Sequence, residues 1–422
     1  MKKLTVAMIG CGRFASFFVP LFKAHPEVEK VYVCDILEER AKCYSKKFGV
    51  PIIESFEAAL ASDEVNAIAI FTQRFAHGPM AIKALKAGKH VYSSVPCSIS
   101  IEEILEIERL VRETRLTYSM GETGYYRAAT MYCREQFAKG AFGQFVYAEA
   151  QYNHDIRNME ESFKSSGGDR WREYAGIPPM FYPTHSTSMI LSTMPGVHAE
   201  TVVAQGFVSP CTDIYGTEGQ NLYDNPFGNT AMLLTLSNGG LARVCENRNV
   251  GWRAPETYIS QFYGTEGGYE FSVAKHFFAA WDKERPGKVK MSDVSRLLTP
   301  ESVSALLERD FDAGIQKIAD GAGFSEASPI QSGARLPEAY RGLENGHNGT
   351  HHYLIDDFCK AAVTGLLTPT NIWEVARYNI PGLCAHKSAL EGGTIIKVPD
   401  LGNAPKDWAI VDPYVFSYNQ GK

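Results

Sequence analysis

A chain of 422 residues with 45% hydrophobic and 21% charged residues can bury a large core, and it exceeds what one core usually supports. Two domains are expected. The formal net charge of -6 supplies no basic stripe to track a phosphate backbone, which argues against a nucleic-acid partner and for a soluble enzyme or binding protein.

The nine cysteines contain no CxxC pair, so neither a zinc ribbon nor a disulfide framework is signalled, and a reducing, cytoplasmic setting fits. The opening apolar run stops at Gly10, too short for the core of a signal peptide. No stretch approaches the roughly 18 uninterrupted apolar residues of a membrane span.

In chain order, LTVAMIG (Leu4 to Gly10) reads as a buried strand and GCGRFA as a glycine turn. SFFVPLFKAHPE follows with helical apolar spacing, and VYVCD is a second strand ending at Asp35. Strand, glycine turn, helix, strand and acid form the dinucleotide fingerprint in its required context. Gly10 permits the tight turn, Gly12 lets the backbone approach a pyrophosphate, and Ala15 allows close packing of helix on strand. Arg13 and Phe14 lie in the same turn. Asp35 would accept from the ribose hydroxyls and repel a 2'-phosphate, so NAD is favoured over NADP.

The alternation continues with a strand at Ala67 to Phe71, a helix from about His77 to Lys86, a strand at Lys89 to Ser94, a helix at Glu102 to Arg115 and the short strand LTYSMGE. Ligands of a doubly wound sheet collect at the carboxyl ends of its strands. Thr72, His77, Ser94, Val95 and Pro96 are thereby placed on the cofactor edge, with Gln73, Arg74 and Cys97 beside them. His77 serves equally well as a helix N-terminal cap.

From Gly121 to Tyr126 the pattern changes. GQFVYAEAQY, NTAMLLTLSNGGLARVCEN and ETYISQFYGTEGGYEFS alternate with period two, and SNGG and GTEGG are hairpin signals. The expected division is a Rossmann domain over 1–122 and an α+β domain over 123–422, with a large open, mainly antiparallel sheet. A polar stretch at about 275–345 reads as an insertion, and two helices and a closing strand, TIIKVPD, follow it.

MIGCGRFA, VYVCD, AIKALKAGKHV with its proline turn, the GTEG hairpin and SALEGGTIIKVP together resemble the glucose-fructose oxidoreductase, inositol dehydrogenase and rhizopine-catabolism family (Gfo/Idh/MocA). The resemblance implies a Rossmann domain followed by an open sheet whose face binds a sugar or polyol opposite the nicotinamide. It also implies a homodimer or homotetramer assembled through that sheet.

Most members of that family carry Glu-Lys-Pro where this chain has Ser94, Val95 and Pro96, and the lysine assists removal of a hydroxyl proton. Val95 neither donates nor accepts. Either the site is silent, or the proton transfers have moved.

The segment FYPTHSTSM, with Val-Pro, GETGYYR and GDRWREY, is similar to the NAD-dependent α-N-acetylgalactosaminidase branch, in which Glu-Val-Pro is usual. That resemblance implies a redox glycosidase. It oxidises C3 of the sugar, removes the C2 proton, eliminates the aglycone, adds water and reduces C3 again. The alternatives are a sugar or polyol dehydrogenase that releases NADH, and a catalytically silent NAD-binding sugar sensor.

Carried over residue by residue, His185 is the acceptor of the C3 hydroxyl proton or a structural histidine, and Tyr126 is the C2 base or a sheet aromatic. Tyr126 would need a cationic neighbour, for which Arg127 or Arg172 could serve. Tyr182 and Arg172 are expected to bind sugar hydroxyls, although an arginine beside aromatics also stacks on surfaces. His347, His351 and His352 fit a metal site only loosely, so no metal is expected. His351 or His352 is assigned to substrate contact.

Overall fold

Every residue of β1 (Leu4–Ile9) and β3 (Ala67–Ile70) is buried, as expected of parallel strands covered on both faces. With β2 (Val28–Cys34), β4 (His90–Ser93) and β5 (Tyr118–Met120) they form a five-stranded parallel sheet in the order β2-β1-β3-β4-β5. The computed structural model describes residues 3–251, 257–272, 274–331 and 333–411.

Register decides what this sheet presents. Ile9 is opposite Cys34 and Ile70, Ile70 is opposite Ser93, and Ser93 is opposite Met120. The strands therefore end in step, and Gly10, Asp35, Phe71, Ser94 and Gly121 emerge along one edge.

The helix expected after the glycine turn is divided into a 3-10 turn at Ala15–Phe17 and an α-helix at Val19–Ala24. Pro20 is the cause: it lacks the N–H that would continue the ladder and is accommodated only in a first turn.

The second sheet has nine strands: β6 (Phe145–Asn153), β7 (Ala199–Val208), β8 (Phe227–Leu236), β9 (Leu241–Asn247), β10 (Tyr258–Gly264), β11 (Gly267–Ser272), β12 (Lys275–Trp281), β13 (Val289–Asp293) and β14 (Ile396–Lys397). Their order is β13-β12-β11-β10-β6-β9-β8-β7-β14. All neighbours are antiparallel except the central pair β6 and β9. The architecture is an α/β Rossmann domain followed by an α+β unit built on a large, mainly antiparallel sheet.

The stretch expected to be an insertion begins as part of this sheet. β12 and β13 pair from Phe277 opposite Asp293 to Trp281 opposite Val289. Helices at Glu301–Arg309 and Phe311–Ala319 follow the sheet's edge. The apolar run of β12 is partly covered along six of its seven residues, so it shows no period-two alternation to mark it as a strand.

The helix Ile372–Leu390 packs back against the first sheet. Met120 N–H donates to Thr370 O at 3.1 Å, extending the β5 edge, and Asn371 caps the helix by accepting from Trp373 N–H at 3.1 Å. Two consecutive residues then fasten separate walls. Thr187 Oγ1 donates to the Tyr378 carbonyl at 2.6 Å, and Cys97 N–H donates to Asn379 Oδ1 at 3.1 Å. No helix among the described residues is long and apolar enough to cross a membrane.

Candidate active site

β5 continues one residue past its end, where Gly121 N–H donates to Ser93 O at 2.8 Å. Glu122 comes next and caps the 3-10 turn Thr123–Tyr126, its Oε1 accepting from Gly124 N–H at 2.7 Å. A Cβ on Gly124 would lie 2.2 Å from Ser188 Oγ and 2.8 Å from His185 O, so only glycine lets this turn press against the helix Thr184–Leu191. The approach brings Glu122 Oε1 to 2.6 Å from His185 Nδ1, with side-chain exposures of 0% and 3%.

The partners fix the imidazole's tautomer. Nδ1–H donates to the carboxylate, and Nε2 is left to accept from the Tyr182 hydroxyl at 3.1 Å. Tyr152 and Tyr258 stand edge-on to the ring at 5.2 and 5.3 Å, and the His347 ring lies 6.5 Å away. Glu122 Oε2 is buried with no hydrogen-bond partner among the described residues. This is a base held by a buried carboxylate, an arrangement suited to taking a proton from a hydroxyl.

Glu122 is the residue that sequence reasoning left without a role. Its signal was an acid immediately beyond the end of a strand on a ligand-collecting edge. His347 was noted only in a possible metal cluster, and the structure sets it between Phe14, at 5.6 Å, and His185. Among the described residues no group of three or more His, Cys, Asp or Glu is arranged to hold a metal ion.

The cofactor edge has the shape a dinucleotide requires. Gly10 adopts φ +101°, and a Cβ there would lie 2.4 Å from Phe71 O. A Cβ on Gly12 would meet nothing within 4 Å, so space is open above the turn, while Tyr44 OH holds the Gly12 carbonyl from behind at 2.5 Å. Asp35 accepts from Cys11 N–H at 2.7 Å and Leu37 N–H at 2.8 Å, and the adjacent Ile36 is 99% exposed. These residues fit NAD: a carboxylate for ribose hydroxyls, an apolar face beside it and a turn open to the pyrophosphate. Arg13 is exposed and Ala15 buried, while Phe14 packs inward on Phe18 at 4.9 Å.

His77 is the first residue of the helix His77–Lys86, yet its side chain caps nothing. Its Nδ1 donates to Pro96 O at 2.8 Å, and its Nε2 lies 3.3 Å from Ser94 Oγ and 3.1 Å from Thr72 O. Burial pushes it down to about 4, so the neutral ring ties the end of β3 to the Ser94–Val95–Pro96 wall. Thr72 Oγ1 turns toward Met80 Sδ at 3.6 Å.

Four expected site residues are placed elsewhere. The Tyr126 hydroxyl donates to Asp357 Oδ2 and accepts from Arg335 Nη2 at 3.0 Å, and its ring stacks on Tyr353 at 4.8 Å. The cation beside it is Arg335; Arg127 instead covers the Tyr258 ring at 4.1 Å. Arg172 is half exposed, pairs with Asp213 at 3.0 Å and lies over the Trp171 ring, because its one-turn helix buries Trp171 and Ala175 and turns the intervening positions outward.

His352 is tied by Nε2 to Glu344 O at 3.2 Å and packs on Tyr340 at 4.9 Å. His351 is fully buried, its Nε2 2.8 Å from His347 Nδ1 and its ring 4.4 Å from Phe18, and burial takes it down to about 3. It reaches the site only through His347. Tyr182 alone among the expected substrate residues touches His185.

A glycine turn after the first parallel strand and an acid after the second define a dinucleotide-binding α/β fold, and the buried Glu–His pair lies at the same edge. Residues 4–122 match GFO_IDH_MocA, described as an oxidoreductase family with an NAD-binding Rossmann fold.

Curated relatives named glycosyl hydrolase family 109 proteins are similar to the chain. One from Solibacter usitatus is 25% identical over 288 residues, covering 62% of this chain and 64% of its own. One from Saccharopolyspora erythraea is 29% identical over 205 residues, 46% and 44% of the two chains. The chain thus spans less than two thirds of the length of these relatives.

Among solved structures, levoglucosan dehydrogenase in complex with NADH and L-sorbose superposes with a TM-score of 0.69 at 17% identity, covering 95% of this chain and 100% of that one. Scyllo-inositol dehydrogenase from Lactobacillus casei, with NAD(H) and scyllo-inositol bound, gives 0.65 at 14% identity over 94% and 99%. These likenesses establish the shared fold.

Proposed function

We propose that this protein is an NAD-dependent enzyme acting on a carbohydrate, and that it works as a redox glycosidase. The observation that carries the reading is the buried Glu122–His185 pair, which supplies a proton acceptor at an edge where Val95 replaces the usual lysine. Gly10, Gly12, Arg13, Asp35, Thr72 and Ser94 to Pro96 would hold NAD, with His77 bracing the wall. NAD, when bound, supplies the hydride acceptor at C3 and returns the same hydride at the end of the cycle.

His185 Nε2 takes the C3 hydroxyl proton, and Glu122 stabilises the imidazolium that results. The C3 ketone acidifies C2–H, and Tyr182, acting as the phenolate beside the Arg74 and Arg248 guanidiniums, is the candidate to take that proton and pass it to the departing aglycone oxygen, whereas the Tyr126 hydroxyl is committed to Asp357 and Arg335. The C1–O bond then breaks as the aglycone leaves, water adds to the enone at C1, and a proton returns to C2. The relatives named as glycosyl hydrolases support cleavage of a glycosidic bond as the outcome. The same pair could also serve a dehydrogenase that releases NADH, and it argues against a silent sensor.

The test incubates the NAD-loaded protein with aryl glycosides and free sugars in deuterated water. Release of the aglycone with deuterium at C2 and no net NADH is expected. Steady NADH accumulation from free sugar would establish the dehydrogenase instead.

Nine free cysteines support a reducing, cytoplasmic setting. Leu233 and Leu241, each 41% exposed on neighbouring strands, support a homodimer or homotetramer assembled through the second sheet, which light scattering would test.

A further inference from the structure

Two guanidinium groups face the ring of Tyr182, whose hydroxyl touches His185. Arg74 opens the turn that follows β3, and its Cζ lies 4.6 Å from the Tyr182 ring centroid. Arg248 is one residue beyond β9, with its Cζ 5.1 Å from that centroid and 4.4 Å from the ring of Tyr152. The first strand end belongs to the Rossmann domain and the second to the large sheet. Both arginines line one narrow pocket of about 10 Å³, room for about one oxygen atom, whose other walls include Phe163, Ile177 and Pro178.

The charge balance of that cavity is one-sided. Arg248 is 6% exposed; its Nη2 donates to Glu246 Oε2 at 3.0 Å, but its Nη1 is buried with no partner among the described residues. Glu246 also accepts from Ser186 Oγ at 2.5 Å, so it does not serve Arg248 alone. Among the described residues no carboxylate pairs with Arg74, which is half-buried over Tyr182 and Phe163. Asp155, next to the wall, is already filled: it accepts from Arg157 Nε at 2.8 Å and from the N–H groups of Val250 and Gly251 at 2.9 and 3.0 Å. A buried guanidinium N–H left unmade is costly, and an oxyanion reaching Arg248 Nη1 from the pocket it shares with Arg74 removes the deficit.

We infer that Arg74 and Arg248 form an anion subsite for the sugar, so that the substrate is an acidic glycoside bearing a carboxylate or phosphate, with an oxygen of the acid group beside the Tyr182 ring whose hydroxyl touches His185. This rests on the carbohydrate-directed reading above and names its substrate class. The aromatic wall of Tyr182 then serves both functions, presenting its hydroxyl to His185 and its face to the cations.

Titration calorimetry with the NAD-loaded protein compares glucuronate and galacturonate with glucose and galactose, and hexose 6-phosphates with both. Aryl hexuronides and aryl hexosides of both anomers are compared in turnover. At least one acidic sugar is expected to bind about 10-fold or more tightly than its neutral counterpart, the size of effect expected of a charge-assisted hydrogen bond. The carboxylate and phosphate arms tell which anion the cavity takes.

Arg74→Gln should abolish that preference and leave NAD affinity unchanged. It carries the test because Arg74 has no buried partner to strand, and Arg248→Met, which strands Glu246, serves as the second variant. Equal affinity for acidic and neutral sugars overturns the subsite. So does an Arg74→Gln protein that loses NAD instead, which would make the cofactor's pyrophosphate the anion held here. Arg74-dependent binding of an acidic sugar without aglycone release or C2 labelling leaves the subsite standing and refutes the glycosidase mechanism.

Discussion

Replacing Glu122 by glutamine removes a charge and little else. The amide oxygen can keep both bonds made by Oε1, accepting from Gly124 N–H and from His185 Nδ1–H, while the amide nitrogen takes the place of the partnerless Oε2. The imidazole retains its tautomer but loses the carboxylate that stabilises it once Nε2 is protonated. With charge centres about 4 Å apart and an effective dielectric constant of about 20, the lost attraction is about 4 kcal/mol. A fall in kcat of about 10²–10³-fold is therefore expected, with the buried, unpaired NH₂ group adding a stability loss of about 1–3 kcal/mol. Aglycone release by the NAD-loaded variant measures the first, urea denaturation the second, and nicotinamide absorbance confirms loading. A folded, loaded Glu122→Gln protein with kcat within about threefold of wild type would refute the assignment of this pair as the proton acceptor.

The Tyr126→Phe variant should lose about 1–3 kcal/mol of stability, because Asp357 and Arg335 lose a buried partner, while kcat falls less than about tenfold. Unchanged stability with a collapsed kcat would instead restore Tyr126 as the C2 base. Arg172→Ala should alter stability by no more than about 0.5 kcal/mol and leave kcat/KM unchanged, since its ion pair with Asp213 is solvent-exposed; loss of substrate affinity would return it to the site. For His77, burial lowers the native pKa from 6.5 to about 4. The unfolded chain takes up the proton first as pH falls, so the stabilisation is complete above about 6.5 and is lost toward 4, amounting to about 3 kcal/mol. The stability difference between wild type and His77→Gln, measured by urea midpoints, should shrink by that amount from pH 7 to 4, and a constant difference would contradict the neutral clamp.

The cofactor edge was legible because its signals are local. A glycine turn, a buried apolar strand and an acid at a strand end each declare themselves within a few residues, and Asp35 was read that way, whereas His185 was read from the resemblance carried by FYPTHSTSM. Glu122 needed the register of β5 beside β4 and the contact through Gly124, neither of which a single sequence displays. Tyr126 was read without its polar partners, Arg335 and Asp357, because they lie more than 200 residues further along. The histidine cluster was visible, but choosing among its members was not. His347 and Asn348 adopt φ of +52° and +55°, and that local departure from helical geometry sets His347 beside the site while His352 turns to Tyr340. The stretch from Lys275 was taken for an insertion because β12 and the edge strand β13 show little burial contrast between their two faces.

The helix Ile372–Leu390 also constrains how the cleft can move. Tyr378 grips the His185 helix through Thr187, and Asn379, the next residue, grips the Val95 wall through Cys97. While both bonds hold, the spacing between proton acceptor and cofactor wall is set by one residue's step along a helix. A motion that leaves both bonds intact would carry the His185 helix and the Val95 wall as one piece, so the proposed proton acceptor and the cofactor wall would keep their separation.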